Sequence, residues 1–294
     1  MTRGVYIVAN DYVTDNAIAL VNSIRSFDKE IPIILIPFNE QFHNIASTLR
    51  HHGGVDVFPD LKLIDEFTQK VQDIFPRNFL ALPNKMRKLV AWLGPLDEFI
   101  YIDTDIIVFE SPNKTLNKLT EYDFICCDYH HVSEGLTNVF SDTVKEKQIF
   151  NDSELEDVFN SGYWASKKEA ISPEKMEATL RECSAHEEYF DFTKGVTDQP
   201  ILNYLVLKNI SKRHNMVKVS GGAPGSWAGS RHFEEKDRIL YDKGKRLEYL
   251  HWAGMKIKPG CPYWNIWEHY RYLNESKKEK LKRLMGRFVP FVGA

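Results

Sequence analysis

The chain carries no Gly-x-Gly-x-x-Gly run and no Gly-x-x-x-x-Gly-Lys-Ser/Thr run. That excludes the dinucleotide fingerprint and the P-loop, two common ways for a strand-loop-helix unit to cradle phosphates. Cysteine is scarce: Cys126, Cys127, Cys183 and Cys261 show no Cys-x-x-Cys spacing. Cys126 and Cys127 follow Phe124-Ile125 and read as small strand residues, so a reduced, cytoplasmic setting is expected. No run approaches the ~20 apolar residues needed to span a bilayer. The first apolar run, residues 5–9, is too short for a signal peptide and reads as a strand. Positive charge is not in excess either. A formal net charge of −3 gives no electrostatic reason to expect a nucleic-acid partner.

What is present is an ordinary globular composition, 43% hydrophobic and 27% charged over 294 residues. That length suits one large α/β domain or two small ones. Within it, residues 97–110 read Asp-Glu-Phe-Ile-Tyr-Ile-Asp-Thr-Asp-Ile-Ile-Val-Phe-Glu. Two apolar, β-prone runs, 99–102 and 106–109, flank the pair Asp103 and Asp105. Such runs suit strands buried on both faces, as in a mixed or parallel sheet. Two carboxylates placed there are costly to desolvate unless a cation compensates them. Hard oxygen ligands on a compact turn suit Mg²⁺ or Mn²⁺, which keeps positions for water and a substrate phosphate.

Around this pair, strand and helix alternate. Residues 5–9, 31–36 and 55–58 read as strands, with a helix after Thr14-Asp15-Asn16 through Ile18, Leu20, Val21 and Ile24. The alternation predicts a Rossmann-like, mostly parallel sheet, whose ligands bind beyond the carboxyl ends of the strands. Asn10 and Asp11 then share an edge with the acidic pair. Lys85, Arg87 and Lys88 fall on an expected helix through Met86, Leu89, Val90 and Leu93, where a solvated face and a diphosphate contact are both open readings. Residues 129–157 read as a long loop or helical excursion, with His130 and His131 as surface residues. The glycine-rich residues 221–229 read as a lid or a plain surface connection. Residues 249–272 are dense in Trp and Tyr, suited to a core or to sugar faces. Residues 276–289 place Leu281, Leu284, Met285, Phe288 and Val289 on one face amid lysines and arginines. That pattern fits a docked terminal helix or a helix lying on an anionic membrane surface.

Three further segments accompany the acidic pair: Phe159-Asn160-Ser161-Gly162, Asp198-Gln199-Pro200-Ile201-Leu202-Asn203, and His251-Trp252-Ala253-Gly254-Met255-Lys256-Ile257-Lys258-Pro259. Each is weak alone. In this order, across about residues 5–264, the set resembles the retaining glycosyltransferases of family 8, which include glycogenin and the lipopolysaccharide galactosyltransferases.

The resemblance implies an α/β GT-A fold with a mixed, mostly parallel central sheet over residues 1–272 and a helical tail at 273–294. It implies a hexosyltransferase, dependent on Mn²⁺ or Mg²⁺, using a nucleotide-sugar donor, a UDP-hexose by family likeness. The acceptor is a glycan, a lipid-linked molecule or a small molecule. The enzyme is expected in the cytoplasm, with contact to the inner face of a membrane through the tail as an open option. Asp103, Asp105 and His251 correspond to metal ligands, with Thr104 as the turn residue between the acids. Asp198 and Gln199 correspond to residues beside the anomeric carbon, and Asn160 to one facing the donor sugar or the acceptor. Asn10, Asp11, Lys85, Arg87, Thr104, Gly254, Lys256 and Lys258 are the candidate donor contacts. The family follows Lys-Pro directly with Trp, whereas Lys258-Pro259 here precedes Gly260-Cys261-Pro262-Tyr263-Trp264, so Lys256 and Lys258 both remain candidates for the diphosphate.

Two other functions compete. A haloacid-dehalogenase-type phosphatase also has Asp-x-Asp after an apolar strand, but Ile107 stands where that motif needs Thr or Val. A binding protein that keeps the fold without turnover is the other.

Overall fold

The computed structural model describes residues 1–126, 139–191, 198–217 and 223–276. The first half is strand-helix alternation: β1 (Arg3–Ala9), α1 (Thr14–Phe27), β2 (Ile33–Pro37), α2 (His43–Gly53), β3 (Val55–Val57) and α3 (Leu61–Ile74). A 3-10 segment, Pro83–Leu93, leads into β4 (Glu98–Ile102) and β5 (Ile106–Val108). One-turn helices α4 (Asn113–Leu116), α5 (Thr143–Glu146) and α6 (Asp152–Leu155) lie around β6 (Phe124–Cys126). Then come β7 (Tyr163–Lys167), α7 (Pro173–Ala185), α8 (Asp198–Asn209), β8 (Arg213–Asn215) and β9 (Gly225–Trp227). A hairpin set β10 (Glu234–Lys236), β11 (Ile239–Asp242) and β12 (Lys245–Arg246) precedes β13 (Tyr249–His251) and α9 (Trp264–Arg271).

Seven strands form the central sheet in the order β3-β2-β1-β4-β7-β6-β8. It is parallel except at β7, which runs antiparallel to both β4 and β6. All residues of β2 and β4 are buried, as expected of largely apolar strands covered on both faces; the one charge, Glu98, is paired with Arg3. One apolar cluster (Phe67, Leu89, Trp92, Trp164, Leu205) covers one face and a second (Leu20, Ile24, Leu35, Ile100, Leu116) the other. A smaller sheet, β5-β13-β9, carries β13 antiparallel to β5 and parallel to β9. Because β1 and β4 are parallel, Asn10 and Asp103 emerge at the same edge. The short β4–β5 corner turns the chain from the large sheet to the small one at Asp103-Thr104-Asp105.

Several sequence expectations need correction. Residues 83–93 form 3-10 rather than α-helix, opened by Pro83. In that geometry residues three apart eclipse, so Met86, Leu89 and Trp92 stack along one buried edge. Residues 225–227 are not loop: they are β9, hydrogen-bonded to β13. Gly225 permits this pairing, because a Cβ there would lie 2.0 Å from the Tyr249 ring. The aromatics at 249–272 are largely core, with Tyr249, Trp252, Trp267 and Tyr270 buried. His130, His131, Gly221 and Gly222 of the 221–229 segment, and the amphipathic stretch from 277 onward lie outside the described residues. Among the described residues no helix is long and apolar enough to cross a membrane.

Candidate active site

Asp103 and Asp105 sit where β4 ends and β5 begins, and His251 closes β13 directly across from Ile106. This register brings the imidazole to the acids: His251 Nε2 is 3.1 Å from Asp105 Oδ1 and 4.0 Å from Asp103 Oδ2. The ligand atoms of the three residues all lie within 4.8 Å of one another. Two carboxylates and an imidazole are a donor set that can hold a divalent cation. The surroundings leave room for it. Gly162 faces the cluster, and a Cβ there would stand 2.4 Å from His251 Cε1 and 2.9 Å from Asp103 Oδ2. The Gly162 carbonyl also accepts the Asp103 backbone N–H at 2.8 Å, which fixes the corner against β7.

A second cluster abuts the first. The Lys88 ammonium lies 2.5 Å from Asp198 Oδ2 and 3.5 Å from Asp103 Oδ1, over the Tyr101 ring at 4.9 Å. Tyr101 donates its hydroxyl to Asp103 Oδ1 at 2.6 Å. Ser161 Oγ donates to Asp198 at 3.2 Å. The Gln199 carbonyl oxygen accepts from Asn160 Nδ2 at 3.1 Å and from the Ser161 N–H at 3.2 Å. Behind them Asn203 binds both the N–H and the C=O of Phe159, each at 2.9 Å. The first turn of α8 and the Phe159–Gly162 bend are therefore one hydrogen-bonded unit.

Electrostatics follow from these contacts. Burial works against the Lys88 charge, but Asp103 and Asp198 outweigh it and raise its pKa. Burial pushes Asp198 up, and Lys88 more than offsets this, so its carboxyl titrates below the ordinary range. Asp105 is lowered in the same way by His251. Asp103 ends above the ordinary range, since burial and the neighbouring Asp105 exceed the help it has from Lys88 and His251. Burial lowers His251, and the two acids raise it above its usual value. The cluster concentrates negative charge that asks for a further cation.

The other sequence candidates fall into three groups. Asn10 stands at the carboxyl end of β1, its side chain accepting the Tyr12 N–H, and Tyr12 beside it is 79% exposed. The Asp11 carboxylate is turned instead to the start of α2, accepting from the Ile45 N–H and Asn44 Nδ2. Arg87 is likewise engaged elsewhere, with its guanidinium on Asp65, Thr68 Oγ1 and the Pro37 carbonyl. Lys85 contributes favourably to the Asp198 charge. Thr104 forms the partly exposed turn between the acids. Gly254 has φ +69°, a left-handed turn that glycine adopts without strain, and beyond it Lys256 and Lys258 are both exposed. The sequence alone puts Lys85 and Arg87, and not Lys88, among the candidate donor contacts. A three-residue repeat was the missing signal, because it puts Lys88 on the edge of Lys85 and Arg87 on another.

No protein-family model matches the chain. It is 22% identical over 248 residues to the uncharacterized protein YfnF of Bacillus subtilis (strain 168), covering 82% of this chain and 78% of that one. Its structure is similar to that of WbbM, described as a bifunctional glycosyltransferase, with a TM-score of 0.63 at 15% identity. That likeness covers 97% of this chain and 52% of WbbM, so the chain spans about half of that protein. It is similar also to the galactosyltransferase LgtC, solved with donor and acceptor sugar analogues, with a TM-score of 0.60 at 14% identity. There 95% of this chain and 99% of LgtC are covered. The fold is that of the GT-A glycosyltransferases.

Proposed function

We propose that this chain is a metal-dependent glycosyltransferase that moves a hexose from a nucleotide sugar, a UDP-hexose by resemblance, to an acceptor with retention at the anomeric carbon. The observation that carries the reading is the convergence of Asp103, Asp105 and His251 with Asp198 and Gln199 at one sheet edge of a GT-A fold. The phosphatase alternative would need neither His251 nor the α8 pair there, and Ile107 breaks its motif.

In this reading Asp103, Asp105 and His251 hold a divalent cation, which would neutralise charge developing on the departing diphosphate. Lys256 or Lys258, both exposed and beyond the Gly254 turn, adds positive charge to that diphosphate from the protein side. Asn10 and the exposed Tyr12 lie where a nucleoside would meet the end of β1. Lys88 keeps Asp198 ionised, so a fixed negative charge faces the positive face of an oxocarbenium-like transition state. The Gln199 carboxamide is oriented by Asn160 and the Ser161 N–H, which holds it ready without reorganisation. Asp11 and Arg87 act at one remove, through α2 and α3.

A thermal-shift panel of UDP, GDP, CMP and ADP, each with Mn²⁺ or EDTA, tests the reading. A ligand bound only by the folded state raises the melting temperature. A rise with one nucleoside diphosphate that disappears in EDTA supports it and names the donor class. No rise with any nucleotide overturns it.

A further inference from the structure

Beside the metal-ligand group the core leaves one indole uncovered. Trp92, Trp164, Trp252 and Trp267 are buried and Trp264 is partly covered, whereas Trp227 keeps 36% of its surface exposed. Its strand, β9, pairs in parallel with β13, and the register sets Trp227 opposite His251. Residues paired this way in neighbouring strands present side chains on the same face, about 5 Å apart.

The ring is held rather than loose. Its Nε1–H donates to the Ala253 carbonyl at 3.0 Å. Gly229 lies under it without a side chain, where a Cβ would approach Trp227 Cη2 to 2.4 Å. The Ala228 N–H donates to the His251 carbonyl at 2.8 Å, tying the residue after the ring to the metal ligand. With its N–H already bonded, the indole offers an incoming ligand only its apolar face. A rigid aromatic plate of this kind suits the C–H face of a pyranose ring.

Position decides which sugar it serves. In the transferase reading, on which this inference rests, the donor sugar is flanked by Asp198, Gln199 and Asn160 on the β7–α8 side. Trp227 stands on the other side of His251, because the small sheet runs β5-β13-β9. Under retention the acceptor enters from the leaving-group side, which is the side of the metal ligands. We propose that Trp227 is the acceptor platform, and that the acceptor presents a pyranose ring: a glycan or glycoside rather than a bare protein hydroxyl.

Two substitutions in the full chain test this. Trp227→Phe keeps a plate, and Trp227→Leu keeps apolar bulk without one. Saturation-transfer NMR with methyl glycosides of glucose, galactose, mannose and N-acetylglucosamine reads the platform with no donor present. The wild type and Trp227→Phe should show transfer to the ring C–H protons of at least one glycoside, and Trp227→Leu should weaken that binding roughly tenfold. UDP affinity with Mn²⁺, measured in parallel, should differ by less than about twofold, because the substitution leaves Asp103, Asp105, His251 and the β9–β13 backbone pairing in place. Equal transfer in the wild type and Trp227→Leu overturns the proposal. So does a loss of UDP affinity as large as the loss of glycoside binding, which would assign the plate to the donor. A wild type that binds a glycoside through Trp227 but no nucleotide refutes the transferase reading instead.

Discussion

Lys88 Nζ lies 2.5 Å from Asp198 Oδ2, so a cation from the 3-10 segment is committed to an acid delivered by α8, while also reaching Asp103 at 3.5 Å. One buried ammonium thus bridges the Asp103–Asp105–His251 cluster and the first turn of α8. Removing it strands two carboxylates. Lys88→Met should destabilise the fold by about 3–5 kcal/mol, as expected when one partner of a buried pair is lost. Mn²⁺ should restore part of that, since it supplies charge to Asp103. Melting curves with Mn²⁺ and with EDTA read both effects; a variant as stable as the wild type in EDTA would contradict the bridging role.

Gly162 is the site's clearance. Gly162→Ala places a methyl where His251 Cε1 and Asp103 Oδ2 already stand, at 2.4 and 2.9 Å. Metal affinity should fall by roughly tenfold or more, because ligand geometry must open to admit it. Calorimetric titration of Mn²⁺ checks this, and unchanged affinity would show that the bend can shift without cost.

Asn203 clamps both backbone groups of Phe159. Asn203→Leu leaves the Phe159 N–H and C=O buried and unpaired, at a cost of about 2–4 kcal/mol. Urea denaturation should show a lower midpoint with an unchanged slope. A shift of the midpoint too small to resolve would mean that water or a neighbour replaces the amide.

Asp105 is the acid held directly by His251. Asp105→Ala should abolish the Mn²⁺-dependent part of nucleotide binding and leave any metal-independent part. Identical nucleotide affinity with Mn²⁺ in variant and wild type would remove Asp105 from the metal site.

Away from the site, Asp28 ends α1 and accepts from the Ile31 and Glu30 N–H groups, Ser111 Oγ and Asn113 Nδ2. Burial pushes its carboxyl up, and these bonds outweigh it, so its pKa lies below the ordinary value. A carboxyl depressed in the folded state stabilises above its unfolded pKa of about 4, and that contribution fades as pH falls through the folded value. Asp28→Asn should therefore lower stability at pH 7 by about 1–2 kcal/mol. The gap to the wild type should narrow below about pH 4. Parallel melting curves from pH 7 to pH 3 test it, and a gap independent of pH would exclude ionisation as the cause.

The central strands were legible because the sheet is covered on both faces: 5–9, 31–36 and 99–102 announce themselves as largely apolar runs, while the edge strand at 55–58 alternates, with Asp56 turned to solvent. Asp103, Asp105 and His251 were legible because their residue types and order are unusual in such runs. What hid was information of another period or another range. A three-residue repeat at 83–93 is easily taken for a helix, which blurred the difference between Lys88 and Arg87. The strand Gly225-Ser226-Trp227 contains a glycine for a steric reason, the Tyr249 ring, that only pairing reveals. Asp11 sits at a sheet edge that promises a ligand, yet the start of α2 lies nearer to its carboxylate. The last two are not local properties of the residues concerned.

The contact between His251 and Asp105 spans 146 residues of chain. Contacts of such separation close large loops and form late in folding. On a ribosome, Asp103 and Asp105 leave the tunnel well before their imidazole, with the early strands already able to pair. The Asp103–Asp105–His251 cluster is thus completed only with β13, and the moment of its completion in a refolding experiment would time the docking of the small sheet on the large one.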